Sequence, residues 1–379
     1  MKIIIAPDSF KGSLSSIEVI AAIKEEAEVA FDDAEIIGIP LADGGEGTIE
    51  AILYSGAGEK RTFTVCGPLG NYIDAEYGII DDTAIIEMAQ CSGLPLVPEN
   101  MLNPLKTTSL GVGQMIGHVI DTGIKNILIG IGGSATNDGG MGAMQALGAK
   151  FYDKYDNLIE NGCGEKLIEI SRIDLEEFDK RIYDCKISVM CDVVNPLTGR
   201  NGATYVYGRQ KGGTDEMLAD LEEGMLNYEK IINQLFEKQI SKTAGAGAAG
   251  GMGAALLGFC GAELISGIEA VLKLKNFYDI IKGADIIITG EGRVDEQSAS
   301  GKVIQGISGY AIKQNIPVIV ITGGMSEGFE KVYELGVKAV FSIANRPMSL
   351  DECMAESRQL IKSAARNIFA LYRISEGIQ

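Results

Sequence analysis

Gly-Ile-Gly-Gly-Ser-Ala-Thr-Asn-Asp-Gly-Gly-Met-Gly occupies residues 130–142 and directly follows the apolar run Ile127-Leu128-Ile129. A short apolar run that ends in glycines and continues into the helix-forming residues 143–147 predicts a buried strand, a tight loop and a helix N-terminus. Glycines let the backbone approach phosphate oxygens, and backbone N–H groups exposed in such a loop favour an anion. The segment is therefore predicted to bind phosphate.

Polar side chains in this loop add further ligand groups. Ser134 and Thr136 supply hydroxyl donors, and Asp138 supplies a carboxylate that could hold a metal or cap the following helix. Packing alone explains a glycine-rich turn about equally well, so that alternative stays open. The loop also fits the dinucleotide spacing G-x-G-x-x-A from Gly130, but no acidic residue closing a strand of this unit stands out as a ribose ligand.

The composition is that of a soluble globular protein. The 379 residues are 46% apolar, which is enough for a large core and favours two domains. The apolar stretches are too short to cross a membrane and the N-terminus lacks a signal-peptide pattern, so we expect a cytoplasmic location. Seven cysteines without a C-x-x-C pair are expected to be reduced thiols.

The charge pattern limits the partners. A formal net charge of −19 opposes binding to nucleic acid or to an anionic membrane, so small molecules are the expected partners. His118 is the one histidine, which excludes zinc sites built from several histidines. It lies in a predicted helix, where a structural role is favoured over catalysis. The sequence leaves the oligomeric state open and permits a homo-oligomer.

Strand and helix patterns alternate at both ends of the chain. Apolar runs at residues 3–6 and 36–39 predict strands, and the helix between them begins at a capping box formed by Ser15 and Glu18. The same alternation returns after residue 284. Residues 62–87 instead contain short strand patterns separated by turn residues, which predict an antiparallel meander.

These patterns predict an α/β fold with two α/β domains. Residues 1–60 and 284–379 form one discontinuous parallel-sheet domain of the Rossmann or flavodoxin-like kind, and residues 61–283 form a second, mixed α/β domain inserted into it. Ligands of open α/β sheets bind beyond the carboxyl ends of the strands. We therefore expect the site in a cleft between the two domains.

Five predicted strands end in loops that combine glycine or proline with an acidic residue. Such loops could converge on one ligand. Carboxylates alone repel a phosphate, but together with Mg²⁺ and a few cations they suit phosphoryl transfer. The acids are Asp8, Asp43, Asp138, Asp192 and Glu291 with Asp295, and the cations are Lys11, Arg200, Lys211, Arg293 and Lys302.

Five segments resemble, in order, the signature segments of the bacterial type I glycerate kinases. Each is weak alone, but together they are specific. The resemblance implies ATP-dependent phosphorylation of D-glycerate, Mg²⁺, and two α/β domains around a cleft. Gln297-Ser298 stands where the family pattern leads us to expect Gln-Thr, a conservative difference. The segments are Ala6-Pro7-Asp8-Ser9-Phe10-Lys11-Gly12-Ser13, Pro40-Leu41-Ala42-Asp43-Gly44-Gly45-Glu46-Gly47-Thr48, Gly132-Gly133-Ser134-Ala135-Thr136-Asn137-Asp138-Gly139-Gly140, Cys191-Asp192-Val193 with Asn195-Pro196-Leu197, and Thr289-Gly290-Glu291-Gly292.

Roles are assigned to single residues within this kinase interpretation. Asp192 is the expected general base, because it ends an apolar strand and precedes a turn, with Arg200 close enough in sequence to receive the substrate carboxylate. A turn-forming or metal-binding role for Asp192 is the competing interpretation. The full expectation is Asp192 and Lys11 as catalytic residues; Gly132, Gly133, Ser134, Thr136 and Asn137 as the nucleotide site; Asp43, Gly44, Gly45, Glu46, Arg200 and Arg293 as the substrate site; and Asp138 and Glu291 as metal ligands.

Two other functions fit the same loops. A non-enzymatic sensor of nucleotides or sugar phosphates would use the cleft without a general base. A nicotinamide-dependent hydroxyacid dehydrogenase is a weaker alternative. Whether the product is 2- or 3-phosphoglycerate does not follow from the sequence.

Overall fold

A computed structural model describes residues 1–54, 56, 58–299, 303–375 and 377. The chain divides into two compact units: unit 1 is Met1–Asp43, Glu50–Tyr54 and Ser266–Gln379, and unit 2 is Gly44–Ile49 and Ser55–Ile265. Residues 266–283 thus group with unit 1, whereas the prediction placed them in the inserted domain. Residues 44–49 and 58–60 group with unit 2, whereas the prediction placed them in the discontinuous domain. Lys302 and its neighbours 300 and 301 lie outside the described residues.

Strands and helices occur throughout the described part of the chain. The strands are β1 (Lys2–Ile5), β2 (Glu35–Gly38), β3 (Gly58–Cys66), β4 (Tyr72–Ile80), β5 (Thr83–Glu87), β6 (Asn126–Gly130), β7 (Lys150–Tyr152), β8 (Arg172–Asp174), β9 (Lys186–Met190), β10 (Glu263–Ile265), β11 (Ile286–Val294), β12 (Val318–Met325) and β13 (Val337–Ser342). The α-helices are α1 (Ser16–Ala30), α2 (Thr48–Leu53), α3 (Met88–Ser92), α4 (Leu110–Asp121), α5 (Met141–Ala146), α6 (Ala203–Tyr207), α7 (Asp215–Leu235), α8 (Ala248–Phe259), α9 (Gly267–Leu274), α10 (Phe277–Ile280), α11 (Val303–Lys313), α12 (Leu350–Ala355) and α13 (Ser357–Ser375). Short 3₁₀ helices occupy Leu94–Leu96, Glu99–Met101, Gly164–Glu169, Lys180–Asp184, Arg209–Lys211, Ile240–Lys242, Glu296–Ala299 and Phe329–Leu335.

Unit 1 is built on a five-stranded sheet in the order β13-β12-β11-β1-β2. All its strand pairs are parallel, and Ile3 pairs with Ile286 across the junction of β1 and β11. Ile3 and Ile5 join an apolar cluster with α1 and α13, while Ile4 is fully buried on the other face. A strand that is apolar on both faces is expected where helices cover a parallel sheet. The predicted α/β class is confirmed.

The first helix starts where its sequence predicts. The Ser15 hydroxyl accepts a hydrogen bond from the Glu18 backbone N–H, and the Glu18 carboxylate accepts one from the Ser15 backbone N–H at 2.8 Å. This reciprocal pair satisfies two N–H groups that the helix leaves without a partner. In the C-terminal part, Phe329–Leu335 forms a 3₁₀ helix, and Gly328 and Gly336 take left-handed conformations at its two ends.

Unit 2 contains a six-stranded sheet in the order β10-β9-β6-β5-β4-β3. The pairs β3–β4 and β4–β5 are antiparallel, which confirms the meander, and the pairs from β5 to β10 are parallel. This mixed sheet agrees with the predicted mixed domain. β6 lies inside the sheet and carries the glycine-rich loop at its carboxyl end, so the loop starts at the centre of unit 2.

Two glycines of α4 allow a matched test of packing. An added Cβ at Gly113 would lie 2.0 Å from the carbonyl oxygen of Ala143 in α5, whereas at Gly117 its nearest contact would be Leu147 Cδ2 at 3.9 Å. We expect Gly113→Ala to lower the free energy of unfolding by about 1–3 kcal/mol, because backbone must move. Gly117→Ala should raise it by about 0.5–1 kcal/mol, since alanine favours helix. Urea unfolding of both variants measures the difference, and equal effects would contradict this packing.

Candidate active site

A cavity of about 630 Å³ lies in unit 1, where β1, β11, β12 and β13 end. Such a position, beyond the carboxyl ends of parallel strands, is the usual ligand site of an open α/β sheet. Several residues predicted from separate strand-end loops are brought together in its lining. They are Asp8, Lys11, Asp43, Glu291, Arg293 and Asp295.

Asp8 is the most deeply buried acid of this cavity, with 8% of its surface exposed. Its backbone N–H donates to the carbonyl of Gly290 at 2.8 Å, and its Oδ1 accepts from the Ser9 backbone N–H at 2.6 Å. Burial and then the negative charge of Asp43 raise the pKa of Asp8 to about 7, although the Ser9 hydrogen bond and the charge of Lys11 oppose the rise. Asp8 can therefore exchange a proton near neutral pH.

Two cations share the cavity with these acids. Lys11 Nζ lies 3.3 Å from Oδ2 of Asp43, and the charge of that carboxylate raises the pKa of the Lys11 ammonium. The Lys11 side chain is still 75% exposed. The Arg293 Nε donates to Ser326 Oγ at 2.7 Å, which fixes the guanidinium on the turn after β12. Both side chains remain accessible to an anionic ligand.

The loop of residues 130–142, in contrast, is mostly buried in unit 2. Thr136 and Asn137 are fully buried, and Ser134 is only 6% exposed. Gly132 is half-buried and Gly133 is exposed. The loop therefore presents two glycines to solvent, whereas the side chains expected to bind the nucleotide face the interior.

The glycines of this loop are needed for contact with the signature loop that begins at Gly44. Gly132 N–H donates to the carbonyl of Gly44 at 3.1 Å. A Cβ at Gly130 would lie 2.5 Å from that same oxygen, and a Cβ at Gly132 would lie 2.7 Å from the Cα of Gly45. Side chains at these positions would push the two backbones apart. Close packing thus accounts for the glycines without a phosphate.

Asp138 is a structural carboxylate. Its Oδ2 accepts hydrogen bonds from the backbone N–H and hydroxyl of Ser109, at 2.9 and 2.6 Å, and from the Gly142 N–H at 3.3 Å. Its Oδ1 accepts from the Gly140 N–H at 3.1 Å. Burial raises the pKa of Asp138, while these donors lower it. Protein donors thus contact both oxygens of Asp138 and hold the loop, and its predicted role as a metal ligand stays a prediction.

Lys211, which follows this loop in the sequence, also supports it. It is 1% exposed, and its Nζ donates to Ser134 Oγ at 2.9 Å and to the Thr136 carbonyl at 2.6 Å. Burial lowers the pKa of Lys211 to about 7, and the charge of Asp138 partly opposes that shift. Lys211 was predicted as one of the cations that suit phosphoryl transfer. In the structure its side chain is buried and supports the loop.

Glu87 was not among the predicted site residues, although it binds the backbone directly after a signature segment. It ends β5, is 1% exposed, and its Oε1 accepts the Ile49 backbone N–H at 2.5 Å. Burial raises the pKa of Glu87 to about 7. An acid at the end of the apolar run Thr83-Ala84-Ile85-Ile86 was the available sequence signal. Glu87 fixes the start of α2, directly after Glu46 and Gly47.

Three of the remaining predicted residues belong to unit 2. Asp192 is half-buried after β9, and Arg200 and Glu46 are exposed. His118 has a structural setting: its ring stacks on Phe63 at 3.8 Å between centroids. Within unit 1 the predicted residues line one charged cavity, and within unit 2 the side chains of the glycine-rich loop are buried.

Comparison with known proteins identifies the family. Residues 3–373 match the profile of the glycerate kinase family. The chain is 46% identical to a glycerate kinase from Halalkalibacterium halodurans, covering 97% of each chain, and 46% identical to a glycerate 2-kinase from Escherichia coli K12, covering 99% of this chain and 98% of the relative. A crystal structure titled as glycerate kinase 2 from Salmonella typhimurium LT2 matches with a TM-score of 0.85 at 44% identity, over 100% of this chain and 99% of that one.

The chain belongs to the glycerate kinase family. This confirms the resemblance seen in the signature segments and the expected enzyme class, an ATP-dependent glycerate kinase. The sensor and dehydrogenase alternatives find no support in these relatives. Within the described residues, no helix combines the length and apolar character needed to cross a bilayer.

The buried Lys211 predicts a pH dependence of stability. Its pKa is about 7 in the folded protein against 10.5 for the free side chain, so the unfolded chain binds more protons between these values. Stability should therefore rise with pH in this window. We expect the free energy of unfolding of the parent protein to gain about 1 kcal/mol per pH unit relative to Lys211→Met between pH 8 and 10.

Chemical unfolding at several pH values measures this difference in slope. The exposed Lys230→Met in α7 is the control for loss of one positive charge. Parallel curves for the parent protein and Lys211→Met would show that Lys211 remains charged when buried, and would contradict the prediction.

Proposed function

We propose that the protein transfers the γ-phosphate of ATP to the 2-hydroxyl of D-glycerate in the cavity of unit 1. The observation that carries this location is the buried Asp8, which lines one cavity with further acids and two cations. The name of the Escherichia coli relative, glycerate 2-kinase, supports the 2-hydroxyl as acceptor. Phosphorus NMR of the product tests this: coupling to a single proton is expected, whereas coupling to a methylene pair would identify 3-phosphoglycerate.

Asp8 is the proposed general base, in place of Asp192. A base works best when its pKa is close to the working pH, and the pKa of Asp8 is raised to about 7. The Asp8 carboxylate takes the proton of the glycerate hydroxyl while that oxygen attacks the γ-phosphorus. The bond from the γ-phosphorus to the bridging oxygen breaks, and ADP leaves.

Lys11 and Arg293 are the proposed ligands of the anionic substrates. Lys11 is accessible and is paired with Asp43 at the cavity wall, so it can turn toward a phosphate as a point charge. Arg293 uses Nε for Ser326, and its planar guanidinium suits two parallel hydrogen bonds to a carboxylate or phosphate. The ion pair with Lys11 places the Asp43 carboxylate next to these cations.

Asp43 and Glu291 are the proposed Mg²⁺ ligands. Within the described residues no group of three or more metal-binding side chains is preformed. Mg²⁺ in phosphoryl-transfer sites is commonly held by one or two carboxylates together with substrate phosphates, so two acids fit this ion. The charges of Asp43 and Glu291 both raise the pKa of Asp8, and a cation would offset this repulsion. When bound, Mg²⁺ would neutralise charge on the β- and γ-phosphates.

Asp8→Asn removes the proposed base and keeps its size. We expect kcat to fall by about 10²-fold or more, the usual worth of a general base. In the parent protein, kcat/KM should rise with pH as Asp8 loses its proton, with a midpoint at or below about 7 because Mg²⁺ offsets the charges of Asp43 and Glu291, and the variant should lack this rise. Steady-state assays across this pH range provide both measurements.

Two further variants make this test specific. Asp285→Asn is the matched control, because Asp285 precedes β11 at its amino end and accepts from the Lys2 backbone N–H at 2.7 Å. Asp192→Asn tests the base predicted from sequence. If Asp192→Asn loses kcat and Asp8→Asn retains it within about threefold, the base is Asp192 and the proposal for Asp8 is wrong.

Dependence on Mg²⁺ separates the proposed ligands from Asp138. Turnover should stop in excess chelator and return with added Mg²⁺, because triphosphate next to several carboxylates needs a cation. Glu291→Gln should raise the Mg²⁺ concentration for half-maximal rate about tenfold or more. Asp138→Asn should instead lower the melting temperature and leave that concentration unchanged in the folded fraction. A shift with Asp138→Asn alone would return the metal to Asp138.

A further inference from the structure

The cavity of unit 1 combines two kinds of lining. The strand-end loops contribute acidic and basic side chains. Residues 343–357, which follow β13 and include α12, contribute the apolar and sulfur-containing side chains Met348, Leu350, Cys353 and Met354. D-glycerate carries polar groups on every carbon, so an apolar lining does not match it. The lining therefore suits a second molecule that has an apolar part.

The apolar lining is tied to the loop that carries Lys11. Ser13 Oγ donates to the Met354 carbonyl at 3.0 Å and accepts from the Ser357 hydroxyl, whose Oγ lies 2.6 Å away. Gly12 has φ +78°, and a Cβ there would lie 2.9 Å from Met354 Cε. Through these contacts, the turn that contains Lys11 packs against residues 354–357. One loop thus fixes the cation and the apolar lining with respect to each other.

The apolar lining is accessible before any ligand binds. Leu350 is 72% exposed, and Met348 and Met354 are partly exposed. Ligand sites are commonly lined by apolar side chains with a few polar groups that set orientation. Methionine sulfur also makes favourable contacts with aromatic rings. Of the two substrates of a glycerate kinase, only ATP carries an aromatic ring.

We infer that residues 348–354 bind the adenine base of ATP. The triphosphate then extends from this apolar lining toward Lys11, Arg293 and the acids. This inference rests on the proposed function of the cavity and adds the subsite that recognises the nucleoside. It assigns Met348, Leu350, Cys353 and Met354 to nucleotide recognition, where no motif in the sequence had pointed.

Leu350→Ser tests the inference by kinetics. The KM for ATP should rise about three- to tenfold, while the KM for D-glycerate and kcat stay within about twofold, because only the base loses apolar contact. Competitive inhibition by inorganic tripolyphosphate, which has no base, should be unchanged. Leu371→Ser is the matched control, since Leu371 is an exposed leucine of α13 that does not line the cavity.

A labelling experiment locates the base directly. Irradiation of the protein with 8-azidoadenosine triphosphate and Mg²⁺, followed by peptide mass spectrometry, should place the label within residues 348–354, and ATP should suppress it. Label in unit 2, or an unchanged KM for ATP in Leu350→Ser, would overturn the inference. If Asp8→Asn still loses kcat in that case, the catalytic proposal survives without the adenine subsite. If Asp8→Asn is fully active, the catalytic proposal fails independently.

Discussion

The parallel pairing of β1 with β11 is the contact on which the candidate active site depends. It joins residues that are 283 positions apart in the sequence: Ile3 pairs with Ile286, and the Thr289 hydroxyl donates to the Ala6 carbonyl at 2.8 Å. Because paired parallel strands end at the same edge, Asp8 and Glu291 follow them into one cavity. Neither segment could form the site alone, which explains why its residues are so far apart in sequence.

Each unit contains a buried titratable side chain, and the two side chains differ in their surroundings. Asp8 and Lys211 are both enclosed and both have a pKa of about 7. Lys211 is surrounded by acceptors that satisfy it, so its burial rigidifies a loop. Asp8 faces a cavity and other acids, so its burial keeps a carboxylate ready to accept a proton. A shifted pKa alone therefore does not identify a catalytic group. The distinguishing observation is whether the group lines a cavity that a ligand can enter.

Sequence was sufficient for the fold class and for many of its elements because these depend on local patterns, whereas the division into units depends on remote contacts and differs from the predicted boundaries. Apolar runs, the Ser15 capping box and the turn residues of the meander each predicted an element that is present. The side-chain roles were harder, since a glycine-rich run does not reveal what lies beside it. Gly130 and Gly132 are required by the backbone of Gly44 and Gly45, a contact that spans distant parts of the chain. Glu87 was missed for the same reason: its partner, Ile49, is remote in sequence.

The adjacency of β1 and β11 also has a consequence for biosynthesis. β1 is synthesised before unit 2, but its partner β11 is made only after all of unit 2 has been synthesised. Until then, one edge of an isoleucine-rich strand has no native neighbour, and such edges are prone to pair with other chains. The segments of unit 2 are complete at residue 265, so this unit can fold while unit 1 still waits for its last strands. Chaperone demand during translation should therefore concentrate on the N-terminal strand.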